Sequence, residues 1–107
     1  MKAVVFSLAL LATDAEAQGR PMTCAAAIKA TIDQLSPEER DALAALPRWQ
    51  LFELHHGLGA RVRNNLGLWN EDSAVRDDCA RQVGNPHPDD ISAWTVARAR
   101  AKLRNAR

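Results

Sequence analysis

Residues 36–47, Ser36-Pro37-Glu38-Glu39-Arg40-Asp41-Ala42-Leu43-Ala44-Ala45-Leu46-Pro47, decide the fold class. A serine hydroxyl at the cap can accept from the third helical amide, and a glutamate at that third position can return to the serine amide. Two of the donors that every helix start leaves unpaired are then satisfied. Proline suits the first helical position, because its φ is already helical and the N–H it lacks would have had no partner. Leu43 and Leu46 give the helix an inner face, and Pro47 ends it.

Working outward, the same period recurs on both sides. Towards the N-terminus, Cys24, Ile28, Ile32 and Leu35 share one face of a helix predicted from about Thr23 to Leu35. After Pro47 a third helix is predicted, with Trp49, Phe52 and His56 beside Leu51, Leu54, Leu58 and Val62 on one broad apolar face. It carries Gly57 and Gly59 inside it, each costing ~1 kcal/mol relative to alanine, so the pair marks a break or a close backbone approach. Gly67 suits a left-handed stop, after which Leu68 and Trp69 fold back as apolar anchors, Trp69 into the core. A fourth helix starts at Asp72 or Ser73, buries Val75, Cys79 and Val83 and stops at Gly84. The turn Asn85-Pro86-His87-Pro88 leads into a last helix with Pro88 first and Asp89 and Asp90 in its positive first turn. Its inner face is predicted as Ile91, Trp94, Ala97 and Ala101. No alternating strand pattern occurs, so the expected class is all-α, a compact bundle of four or five short helices.

Composition agrees with that class. The 107 residues fit one domain, and 47% hydrophobic with 25% charged residues is an ordinary globular balance. A formal charge of +1 argues against a nucleic-acid partner, and no apolar run reaches the ~20 residues of a membrane helix. Only Arg98, Arg100, Lys102, Arg104 and Arg107 form a lopsided run, read as a solvated helix end that complements the dipole, the alternative being an anion-binding tail. Lys2, the apolar run 3–12 and the Ala15-Glu16-Ala17 site read as a secretory signal over residues 1–17, leaving one helical domain over 18–107 in the periplasm or outside the cell. The competing reading makes residues 3–12 a first core helix. Cys24 and Cys79 are then a disulfide candidate, two buried thiols being the alternative.

The unusual residues are His55-His56-Gly57-Leu58-Gly59, Arg63-Asn64-Asn65, Gly67-Leu68-Trp69 and His87-Pro88-Asp89-Asp90-Ile91-Ser92. In this order they resemble an uncharacterised bacterial family, the domain of unknown function numbered 6794, with a pattern H-x-G-L-G-x-x-I-R-N-N-x-G-L-W followed by H-P-D-D-x-S. The chain departs from it at Arg61 and Leu66, where the family carries aromatic residues, and Val62 replaces isoleucine. The resemblance implies a small helical domain and no known activity.

Read physically, the cluster His55, Arg63, Asn64, Trp69, His87, Asp89 and Asp90 has two accounts. In the structural one Arg63 pairs with Asp89 or Asp90, Asn64 or Asn65 satisfies backbone near Gly67, and every residue serves the fold. In the functional one His55, Arg63, Asn64, His87 and Asp89 line a cleft as base, cation and amide donors, as in a small hydrolase. No nucleophile elbow, phosphate loop or H-E-x-x-H spacing accompanies them, so no catalytic residue is assigned. Adjacent His55 and His56 point ~100° apart on a helix and cannot share an ion, and a site from His55, His87 and one Asp is weak. The expectation is a binding or interaction module without cofactor or metal, its partner a protein or a small anionic ligand.

Overall fold

A computed structural model describes Pro21 and residues 23–106 of the chain. The signal or core-helix readings of the N-terminal run, and Arg107 of the basic end, lie outside the described residues. Among those described there are five α-helices and no strand: α1 (Cys24–Asp33), α2 (Pro37–Ala45), α3 (Ala60–Asn65), α4 (Ala74–Val83) and α5 (Pro88–Asn105). Between α2 and α3 run a 3-10 helix (Arg48–Leu54) and a π-helical turn (His55–Gly59). The protein is a compact all-α bundle.

Each boundary has a local cause. The Thr23 hydroxyl caps α1 by accepting from the Ala26 amide at 3.1 Å. Both halves of the Ser36–Glu39 capping box are made, at 3.1 and 2.9 Å. Leu46, ahead of Pro47, takes an extended ψ of 129° and ends α2. The α2 carbonyls this leaves open are capped from α5: Arg104 Nη1 donates to Ala44 O and Arg100 Nε to Leu46 O, both at 2.7 Å. Burial, and the neighbouring charges of Arg104 and Arg48, hold the Arg100 guanidinium below its ordinary pKa. Gly67, at φ 65°, closes α3 with Leu68 N–H on Arg63 O and its own N–H on Asn64 O.

The helix α5 is the hub. It packs against α1, α2, α3, α4, the 3-10 helix and the π turn. Its buried face is Ile91, Ser92, Thr95, Val96 and Ala99, rotated from the predicted Ile91, Trp94, Ala97 and Ala101. The cause is local pairing. Thr95 Oγ1 donates to Ile91 O at 2.8 Å and Ser92 Oγ to Asp89 O at 3.0 Å, so two hydroxyls enter the core without an unpaired donor while Trp94 moves to the flank. At the opposite side Cys24 and Cys79 are joined by a disulfide that ties α1 to α4.

The predicted third helix is corrected. A 3-10 helix has three residues per turn, so side chains stack at i and i+3 rather than spreading over a broad 3.6-residue stripe. Leu51 and Leu54 fall in one row against the core. Trp49 and Phe52 fall in another that faces outward, 71% and 73% exposed. The predicted burial of Trp69 is corrected as well: the tight turn at Gly67 puts Leu68 fully inside and leaves Trp69 56% exposed.

Candidate functional site

The helix α3 lies centrally enough that both of its sides are buried, and it carries arginines on opposite faces. Arg61 and Asn65, one turn apart, point to the corner between α1 and α2. There Arg61 Nη1 meets Glu39 Oε2 at 3.1 Å, Arg61 Nη2 donates to Gln34 O at 2.8 Å and Asn65 Nδ2 donates to Gln34 Oε1 at 2.8 Å. Burial pushes the Glu39 carboxyl up, but the Ser36 amide and the Arg61 guanidinium outweigh it and hold the group below the usual range.

Arg63 points the other way, towards α5. Its Nη2 donates to His55 O and its Nη1 to Ser92 Oγ, both at 3.0 Å, while Nε lies 3.5 Å from Asp89 Oδ1. His55 Nδ1 is 3.4 Å from Arg63 Nη1, and His55 Nε2 stands 3.9 Å from Asp89 Oδ1. Gly59 makes this approach possible, because a Cβ there would sit 3.1 Å from Arg63 Nη1 and 3.2 Å from Leu54 O. His87 caps α5, its Nδ1 accepting from the Asp89 amide at 3.0 Å, and lies 3.9 Å from Asp89 Oδ2. The Trp69 and His87 rings meet in a T-shaped contact, centroids 5.9 Å apart.

Six of the seven sequence-predicted residues thus adjoin one another or one cleft. Arg63 contacts Asp89 rather than Asp90, which is exposed on the rim. Asn64 is exposed and joins only through its carbonyl at the Gly67 turn. The cleft, of about 780 Å³, runs between the 3-10 and π segments and the first half of α5. Its lining is mostly apolar (Leu51, Phe52, Leu54, Gly59, Ala93, Val96, Ala97), with Glu53, His55 and His56 on one side and Asp89, Asp90 and Ser92 on the other.

A family model described as Domain of unknown function (DUF6794) matches residues 20–103. The chain belongs to this family. The DUF6794 match takes in both cysteines, the Arg61 and Arg63 clusters and the whole cleft. No curated protein and no solved structure is significantly similar to it.

In this DUF6794 chain, two parts of the site escaped the sequence reading. Arg61, noted only as a departure from the family pattern, anchors the α1–α2 corner. A charge between Leu58 and Val62 on an apolar helix is the signal that it needed a buried partner. Ser92 was read only within the motif, yet its hydroxyl links Arg63 to the first turn of α5. Among the described residues, no three His, Cys, Asp or Glu side chains are grouped to hold a metal ion.

Proposed function

We propose that this DUF6794 chain is a binding module that seats an apolar-faced protein partner in the cleft between the 3-10 helix and α5. The observation that carries the reading is the cleft itself: an open, mostly apolar trough of about 780 Å³, with a few polar groups supplied from both of its sides, is the usual form of a ligand seat. The anionic ligand considered from sequence is disfavoured. The rim carries Glu53, Asp89 and Asp90, while Arg63 is buried and already engaged by His55 O and Ser92 Oγ. The seat is carried by an exported protein whose residues 1–17 are removed and whose domain is 18–107. The apolar run 3–12, the Ala-x-Ala site and a disulfide of the kind that persists in oxidising compartments support this.

One observation favours a small hydrolase instead: His55 and Asp89, with side chains 40% and 42% exposed, converge on the cleft. The nearest hydroxyl argues against it, because Ser92 is 1% exposed, donates to Asp89 O and accepts from Arg63. The test is binding of the neutral apolar dye Nile red to the parent and to Ala93→Trp, which fills the cleft from an exposed helix position. Loss of dye fluorescence at an unchanged melting temperature supports the seat. Equal dye binding by both overturns it, and turnover of a p-nitrophenyl ester that His55→Gln abolishes moves the assignment to the hydrolase.

A further inference from the structure

We infer that the occupant of the cleft is a cationic amphipathic helix of a partner protein, an inference that rests on the cleft being the seat. The 3-10 register extends the apolar wall outward, because Phe52 lines the cleft and Trp49 stacks one turn before it in the same exposed row. Single exposed aromatics are ordinary. Two in one row, continuous with an apolar trough, make a surface longer than a small molecule covers and of the size that helix-in-groove recognition uses. On the facing wall Ala93 and Ala97 stand one helical turn apart, so a second helix can lie close along α5.

Charge selects the kind of helix. Glu53 and Asp90 are exposed at the rim and Asp89 is half-open beside them. Of the cations nearest the cleft, Arg98 lies over the Trp94 ring, Arg100 and Arg104 are spent on the carbonyls of α2, and Arg48 precedes Trp49 at the Arg100 end of the row, away from Asp89 and Asp90. A partner with a Leu-type stripe flanked by Lys or Arg meets the apolar floor and the acidic rim together, and one flanked by acids is repelled.

The probes are a Leu/Lys amphipathic peptide, its Leu/Glu counterpart with the same apolar stripe, and a scrambled Leu/Lys sequence, titrated into the full chain. The readouts are the NMR shifts of the Leu51, Leu54 and Val96 methyl groups and the dissociation constant. The Leu/Lys helix is expected to move the cleft methyls and bind roughly tenfold or more tighter than the Leu/Glu helix at low salt. That preference reverses in the Glu53→Lys/Asp90→Lys variant, whose melting temperature controls for folding. Equal binding of both helices, or of the scrambled peptide, overturns the cationic helix while leaving the seat intact. So does a chain that binds Nile red in the cleft, or a second copy of itself by ultracentrifugation, but not the Leu/Lys helix. Methyls unmoved by any peptide, together with dye binding indifferent to Ala93→Trp, overturn both readings.

Discussion

Arg61 and Arg63 stand two positions apart on α3 with side chains equally buried, 8% exposed each, yet removing them leaves different partners behind. Arg61→Ala leaves the Glu39 carboxylate, at 11% exposure, with the Ser36 amide but without its cation, whereas Arg63→Ala leaves Asp89, 42% exposed, free to hydrate. Truncating one partner of a buried pair costs about 3–5 kcal/mol and an exposed carboxylate recovers much of that, so Arg61→Ala is expected to destabilise by about 3 kcal/mol and Arg63→Ala by about 2 kcal/mol. Urea denaturation of the two variants checks the order. Glu39 and Asp78 set the response to acid. Glu39 is held low against its own burial by the Ser36 amide and Arg61, and Asp78 is held low by the Cys24 amide and Arg81. With folded pKa values below the unfolded ones, the unfolded chain takes up protons first as pH falls. The stabilisation is complete above the unfolded range of roughly pH 4–5 and is lost as pH drops through the folded values. The urea midpoint should therefore fall steeply below about pH 4 and less so in Glu39→Gln. Arg63 was readable as a partner of the Pro-Asp-Asp helix start because the two motifs occur together. The partner of Arg61 lies 22 positions away on another helix, and a lone sequence carries no pattern that joins them.

At the scale of elements, caps and stops were legible because they are decided within four or five residues: Ser36 to Glu39, Gly67, Gly84 and Pro88 each act on their own turn. The segment after Pro47 was not, because a 3-10 helix, a π turn and an α-helix share one apolar composition and differ only in winding. What sets the winding is a close approach: Gly59 admits Leu54 O and the Arg63 guanidinium to a space a methyl group would occupy, and that guanidinium is held in place by Ser92 of α5. Gly59→Ala should therefore lower the melting temperature, although alanine is favoured over glycine inside a helix by ~1 kcal/mol. A rise in melting temperature would mean that the π turn relaxes without cost. The rotated face of α5 has a similar origin. Serine and threonine read as surface residues until their hydroxyls find a carbonyl one turn back, which happens here at Ser92 and Thr95.

For the whole molecule, the disulfide and α5 divide the work of holding five short helices together. The cysteines are 55 residues apart, and closing a loop of that length restricts the unfolded chain enough to stabilise the fold by about 4 kcal/mol in the chain-entropy model. Reduction by dithiothreitol should lower the melting temperature accordingly, while the 3-10 helix and cleft, which the bond does not touch, keep their methyl spectrum just below the new transition. The class and the number of helices were legible from periodicity, but the hub was not, since nothing in the composition of the 18 residues of α5 says that six other elements rest on them. That arrangement also sets a timetable. A chain made from its N-terminus has α1 to α4 in hand before the wall they share exists, and their apolar faces can close only when Pro88–Asn105 arrives. Completion of the core is deferred until synthesis has passed that helix, and until then the apolar faces of α1 to α4 lack the surface that covers them in the finished fold.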